Sequence, residues 1–466
     1  MAEAGDLRRQ RLAVWAVATG SAALQVVFFS LRRPPSWDEA IYLSQVTRGV
    51  PALPFVASRA RGITVLVAPL TSVGAPLWLV RLFLVVASAV VLAATFRLWV
   101  PLLGWGAPLG ALVFASSWPA MFYGSEVMPN LWVAFACVAC LGFVGRSLVA
   151  GTATRRPGDL AGAGLCAFAC ALIRPPDAAV LSIAVFASLL VVDREAWRVG
   201  AAITVGAVAG SFPWLVEMSV RFGGPFEALR AARGLAHVRA GGGLSAHLAL
   251  TDGPLLGPDR AAGVPWIGVA WWTGLTVLTV LACLGPRSGR DRTVLRVAAV
   301  TAAALVLEYV ALVAGLAPRF LLPALAVLSL TAGAGLARLP RLPDGTAWGR
   351  VATISAAVAL AIWVPWQLVT ADRLERTATS DRADARAAGE AIARAVGDEP
   401  CRVASTVDYP QVAFAARCSG RVATGTDLDG PPVGVLPVTV VVTREMPLRT
   451  GEPVRGLPRG WFAAAG

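Results

Sequence analysis

The feature that most constrains this chain is a series of apolar runs, each close to the length of a membrane span. A helix rises 1.5 Å per residue, so about 20 apolar residues cross the ~30 Å hydrocarbon core of a bilayer. Such runs lie near 11–31, 78–96, 101–121, 130–146, 159–174, 177–193, 199–217, 265–284, 294–316, 319–338 and 351–371. Together they explain why 56% of the 466 residues are hydrophobic, which a soluble domain of this size would not need. The pattern predicts an α-helical polytopic membrane protein with about eleven transmembrane helices. The first run lacks a small-residue cleavage site before the polar segment that follows, so it is expected to remain as a span rather than leave as a signal peptide.

The formal net charge is +13, from 41 basic against 28 acidic residues, and every basic residue is arginine because the chain has no lysine. With its Ala, Gly, Val and Pro richness, that choice suggests a GC-rich bacterial genome. The arginines fall in short loops, which points to a lipid bilayer as partner and to no nucleic acid. Arg8, Arg9 and Arg11 precede the first span. Arg146, Arg155 and Arg156 follow the fourth, Arg194 and Arg198 the sixth, and Arg287, Arg290, Arg292 and Arg296 the eighth. Arg338, Arg341 and Arg350 follow the tenth. All lie on one side if the span count is right, and the positive-inside rule makes that side cytoplasmic. The expectation is a multi-pass protein of the bacterial plasma membrane with its N-terminus inside and its C-terminus outside. Segments 32–77, 218–264 and 372–466 then face outward.

The expected division is a transmembrane module over 1–371 and a small extracytoplasmic α/β cap over 372–466. In the tail, RADARAAGEAIARAVGDEP has helical spacing, CRVAS opens as a strand, PQVAFAARC is helix-like and PVTVVVT is a strand. Five of the seven cysteines (Cys137, Cys140, Cys166, Cys170, Cys283) fall in apolar runs and read as small buried hydrophobes. Cys401 and Cys418 fall in the outward tail, where an oxidising compartment lets them pair and close a loop contributing about 3 kcal/mol in the chain-entropy model. The alternative is two buried free thiols.

RRPPSWDEAIY, residues 32–42, follows the first span and places Asp38 and Glu39 at the outer membrane surface. Ser36 and Glu39 match a capping box, which explains both without chemistry. Trp37 and Tyr42 then read as an interfacial aromatic pair. A carboxylate about 3 Å from an acceptor hydroxyl could equally serve as a general base. The two readings are compatible.

WDEAIY, in the loop after the first span, resembles the DE-x-x-Y pattern of the GT-C superfamily of polytopic glycosyltransferases. The likeness is to the branch with the protein O-mannosyltransferases and the lipid A aminoarabinose transferase. Further resemblances follow in order: RGITVLVAPLTSVGAPLWLVR at 61–81, SSWPAMFYGSEVMPN at 116–130, LIRPPDA at 172–178 and APRFLLPAL at 317–325, where Phe320 stands where the family often has tyrosine. The resemblance covers most of 11–371. It implies a GT-C-like fold and transfer of a sugar such as mannose or arabinose from a polyprenyl-phosphate donor to a glycan, glycolipid or protein acceptor. It implies Asp38 as base, with Glu39 as the alternative. Tyr42, Glu126, Arg174 and Arg319 become substrate-binding candidates, the arginines as forks for the lipid phosphate. Arg174 has a second reading, snorkelling or a pair with Asp177. The family also leaves room for a divalent metal ion, with Asp38 and Glu126 as candidate ligands.

Two other functions fit the composition. A lipid-linked sugar flippase or transporter would carry ionisable groups near the midplane, and Glu308 is the main one found within a span. A non-catalytic membrane scaffold would use its tail to bind partners. His237 and His247, the two histidines, read as solvated loop residues.

Overall fold

In hydrocarbon each backbone N–H and C=O has to be satisfied within its own segment, so apolar runs of this length fold as helices. The computed structural model describes residues 2–150, 156–192, 196–228, 230, 266–285, 289–312, 317–341, 347–423, 438–444 and 452–465. His237, His247 and most of the 218–264 segment lie outside the described residues. Helix α1 (Ala2–Phe28) is followed by short α2 (Trp37–Ser44) and α3 (Gly62–Thr71), then α4 (Leu77–Arg97). Next come α5 (Val100–Leu103), α6 (Gly106–Ala115), α7 (Trp118–Gly124), α8 (Asn130–Ala150), α9 (Pro157–Ile173), α10 (Pro175–Val192) and α11 (Trp197–Phe222). The later helices are α12 (Trp266–Leu284), α13 (Gly289–Leu307), α14 (Leu322–Leu336), α15 (Ala347–Val396) and α16 (Tyr409–Ala416). A π turn over Glu308–Leu312 continues α13, and a 3-10 turn over Pro318–Leu321 leads into α14.

Among the described residues nine helical segments are long and apolar enough to cross a membrane. Two of the expected runs come out differently. The run near 159–174 is α9, with 17 residues. The run near 101–121 is broken into α5, α6 and α7. Gly104 ends α5 with φ 57, and Ser117 is extended ahead of Pro119, which sits in the first turn of α7. A glycine can take positive φ without a Cβ clash, and proline favours a first turn while ending the helix before it.

Contacts divide the chain into two units: Met1–Phe29, Leu84–Ser125 and Pro129–Leu374 form the first, and Ser30–Phe83, Glu126–Met128 and Glu375–Gly466 the second. In the first unit, helices approach closely wherever side chains are absent. A Cβ on Gly333 of α14 would run into the Gly110 backbone of α6, and one on Gly110 would lie 2.7 Å from the Leu330 Cα. Gly206 and Gly210 of α11 play the same part against α9, facing the carbonyls of Gly164 and Phe168. Lipid tails are as apolar as leucine, so van der Waals contact through small residues is what holds such helices together.

The second unit contains a five-stranded sheet in the order β2-β1-β3-β5-β4. Its strands are β1 (Cys401–Ser405), β2 (Ser419–Val422), β3 (Val438–Arg444), β4 (Glu452–Pro453) and β5 (Trp461–Ala465). β1 pairs in parallel with β2 and β3, while β5 runs antiparallel to β3 and β4. Helix α16 is the crossover from β1 to β2. Val440, Val441 and Val442 are all fully buried, as an interior strand covered on both faces requires. Cys401 and Cys418 are disulfide-bonded, which closes the crossover as a loop. The sheet unit also takes in the first loop: a Cβ on Gly420 of β2 would meet Leu53 at 3.1 Å and Ala413 at 2.7 Å. Trp37 of α2 meets Tyr409 of α16 edge to face at 5.1 Å.

Gly206→Ala should destabilise the protein by about 1–3 kcal/mol through overpacking. Gly20→Ala, where a Cβ meets nothing within 4 Å, should be neutral or slightly stabilising. Thermal unfolding of the two detergent-purified variants checks the contrast.

Candidate active site

The two adjacent carboxylates are separated by the cap that starts α2. Ser36 is extended (φ -72, ψ 172); its hydroxyl accepts the Glu39 N–H at 3.3 Å, and Glu39 Oε2 accepts the Ser36 N–H at 2.9 Å. This capping box turns Glu39 inward, where it is fully buried, while the Asp38 side chain keeps 19% of its surface. Asp38 Oδ1 accepts a hydrogen bond from Arg59 Nη2 at 2.5 Å. The Arg59 guanidinium lies 5.4 Å from the centre of the Tyr42 ring, which itself meets Phe55 edge to face at 5.8 Å. Arg61 covers Phe55 at 4.7 Å. Tyr42 is thus a buried platform for the arginine that holds Asp38.

Glu39 sits in a network of three carboxylates and three guanidiniums. Arg81 grips it bidentately, with Nη1 to Oε1 and Nη2 to Oε2 both at 3.0 Å. The Val127 N–H donates to Oε1 at 2.9 Å, and Arg382 Nη1 lies 3.5 Å from Oε2. Arg382 Nη1 also donates to Glu126 Oε1 at 2.6 Å, and Arg33 reaches the same oxygen at 3.1 Å. Arg33 in turn pairs with Glu375, which accepts the Ser30 N–H at 2.9 Å. Both Arg81 and Arg382 reach the Pro34 carbonyl at 3.4 Å. Burial alone would push the Glu39 carboxyl up, but Arg81, then Arg382 and Arg33, together with the Ser36 amide, bring it down from 4.5 to about 2. A carboxylate held that low is a poor proton acceptor.

This donor set does not fit a divalent metal ion. Glu126 is 1% exposed and its Oε1 already accepts from two guanidiniums, whose charge repels a cation. Among the described residues no three His, Cys, Asp or Glu side chains are grouped to hold a metal.

A second polar cluster lies in the first unit. Two prolines follow Arg174, and the residue before a proline is steered out of the helical region. Arg174 accordingly takes φ -150, ψ 94 at the break between α9 and α10. Its Nε donates to Asp177 Oδ2 at 2.6 Å, while the Tyr309 hydroxyl donates to Asp177 Oδ1 at 2.5 Å. The Tyr309 and Phe320 rings stack at 5.2 Å. The Arg174 guanidinium lies 5.5 Å from the Phe320 ring and that of Arg319 lies 5.1 Å from it, so both arginines share one aromatic partner. Immediately after Arg174 begins an apolar groove of about 610 Å³ between α10 and α11, lined by Pro175, Pro176, Phe186, Val208, Trp214 and Leu215 among others. Forked cations beside an apolar groove suit an amphiphile with an anionic head.

Solved structures share this arrangement of helices. ArnT from Cupriavidus metallidurans bound to undecaprenyl phosphate matches with a TM-score of 0.66 at 14% identity, over 97% of each chain. The oligosaccharyltransferase of Archaeoglobus fulgidus matches with 0.53 at 12% identity, over 89% of this chain and 65% of that one. Arabinofuranosyltransferase AftD from Mycobacteria matches with 0.52 at 15% identity, over 96% of this chain and 36% of that one. The fold is GT-C. No family model matches the sequence, and no curated protein matches it.

Within this GT-C fold the expected site residues fall into two groups: Asp38, Glu39, Tyr42 and Glu126 in the second unit, Arg174 and Arg319 in the first. Arg33, Arg59, Glu375, Arg382 and Tyr309 were not among the expected residues. Arg33 and Arg59 had a local signal, since both lie in the same loop as Asp38.

Arg81→Met leaves Glu39 buried without its bidentate partner and should cost about 3–5 kcal/mol of stability. The lowered pKa of Glu39 makes its contribution complete above pH 4.5 and lost as pH falls toward about 2. Unfolding midpoints measured from neutral to acid pH should drop in this window for the wild type, and at higher pH for Arg81→Met.

Proposed function

We propose that this multi-pass membrane protein is a glycosyltransferase that moves a sugar from a polyprenyl-phosphate donor to an acceptor on the outer face of a bacterial plasma membrane. The N-terminus would lie inside and the C-terminus outside. Residues 1–371 would form the catalytic membrane module and 372–466 a cap. The observation that carries the reading is the unequal fate of the adjacent carboxylates. Glu39 is consumed by its partners, whereas the Asp38 side chain keeps 19% of its surface where it meets Arg59.

In this reading the acceptor hydroxyl gives its proton to Asp38 while its oxygen attacks the anomeric carbon. The bond from that carbon to the phosphate oxygen breaks, its electron pair leaves with the phosphate, and the configuration inverts. Arg59 on the Tyr42 platform orients Asp38. Arg174 and Arg319 would grip the phosphate and stabilise the charge that collects on it as the sugar departs. The apolar groove beside Arg174 suits the prenyl tail. The solved ArnT structure with undecaprenyl phosphate bound supports this donor class. Mannose and arabinose are the first sugars to try, with glycan, glycolipid or protein as acceptor.

Asp38→Asn should lower release of polyprenyl phosphate from the productive donor by about 10²–10⁴-fold, with unfolding unchanged. The measurement is turnover of purified wild type and variant against polyprenyl-phosphate sugars. Equal release from both would remove Asp38 as the base. Movement of sugar lipid across liposomes without release would replace the transferase with a flippase.

A further inference from the structure

Glu308 stands apart from every other carboxylate described above. It lies inside the membrane-spanning segment Gly289–Ala311 and is 3% exposed. Its Oε2 has no hydrogen-bond partner among the described residues. A buried carboxylate oxygen without a partner is costly anywhere and more so within a span. The backbone there is also irregular: Glu308 opens the π turn Glu308–Leu312, and such turns persist mainly where function requires them. The same turn carries Tyr309, whose hydroxyl is tied to Asp177 and whose ring stacks on Phe320. Glu308 is therefore fixed beside the two-arginine cluster.

The chemistry of the neighbours limits what Glu308 can bind. Asp177 is satisfied by Arg174 and Tyr309. Arg174 and Arg319 favour an anion, and an ionised carboxylate repels one. Glu308 needs a hydrogen-bond donor that arrives with the anion but is not part of it. A polyprenyl-phosphate sugar has three parts: a hydrocarbon tail, a phosphodiester that only accepts hydrogen bonds, and a sugar. The sugar alone carries O–H donors.

Resting on the donor class proposed above, we infer that Glu308 is a donor-sugar binding residue, accepting a hydrogen bond from a ring hydroxyl while Arg174 and Arg319 hold the phosphate. Asp177 and Tyr309 are positioning residues that fix Arg174 and the π turn. Glu308 thereby selects the sugar. A site that hydrogen-bonds a hydroxyl discriminates strongly against an analogue lacking it.

The test uses the full chain in detergent, with Glu308→Leu and Glu308→Ala. Affinity is measured by thermal shift for bare polyprenyl phosphate, polyprenyl-phosphate mannose, polyprenyl-phosphate arabinose and their monodeoxy analogues. The wild type should bind at least one sugar lipid tenfold or more tightly than the bare lipid. Glu308→Leu should lose that preference with its affinity for the bare lipid unchanged, and one deoxy analogue should bind wild type and variant alike. Glu308→Ala, which also lacks an acceptor, gives the same comparison should the leucine variant fail to fold. The inference is overturned if the preference survives in the variants, if affinity for the bare lipid falls by the same factor, or if the wild type never distinguishes sugared from bare lipid. A wild type that binds sugar lipid but turns none over would sink the transferase reading and leave the role of Glu308 decided by binding.

Discussion

The bidentate contact between Arg81 and Glu39 is the interaction on which the rest of the candidate site depends. Both side chains are fully buried, so neither charge survives without the other. Glu39 closes the capping box that fixes the direction of α2, and α2 fixes Asp38 and Tyr42. The pair does not stand alone. Arg382 bridges Glu39 and Glu126, and Arg33 bridges Glu126 and Glu375. Three positive and three negative groups cancel within a volume nearly closed to water. All three cations are guanidiniums, whose planar forks match carboxylates and which stay charged at any accessible pH. A lysine in any of these places could lose its proton on burial and unbalance the set.

Adjacent residues of like chemistry end in opposite environments because they stand on a helix. Successive residues point about 100° apart, so when Glu39 faces inward Asp38 faces out. Their proximity in sequence makes them look interchangeable, while the cap makes them different. One is an anchor whose carboxyl pKa is brought down to about 2; the other meets Arg59 at the edge of solvent.

Periodicity and local chemistry made much of the fold legible. The apolar runs map onto helices, and the tail segments CRVAS, PQVAFAARC and VTVVVT onto β1, α16 and β3. SWDE does form its capping box. What escaped was whatever depends on pairing at long range. Arg382 lies in RADARAAGE, which has the look of a solvated amphipathic helix, yet its partners are 256 and 343 residues away. Glu126 reads as an acidic residue that could ligate a metal, position an acceptor or pair with an arginine, and it lies nearly sealed between Arg33 and the distant Arg382. The break in the run near 101–121 escaped because Gly104, Ser117 and Pro119 sit within an otherwise uniform apolar composition. The meeting of Arg174 and Arg319 on Phe320 left no mark in the spacing between them.

The separation of these partners along the chain also sets an order in time. Arg33, Glu39, Arg81 and Glu126 are synthesised long before Arg382, which follows Glu126 by 256 residues. At 5–20 residues per second, that interval is about 10–50 s. Until then Arg81 can balance Glu39 and Arg33 can balance Glu126, but Glu126 waits without the guanidinium that will join it to Glu39. The last long helix thus closes the site as well as the chain, and the candidate base gains its final setting only when the C-terminal segment arrives.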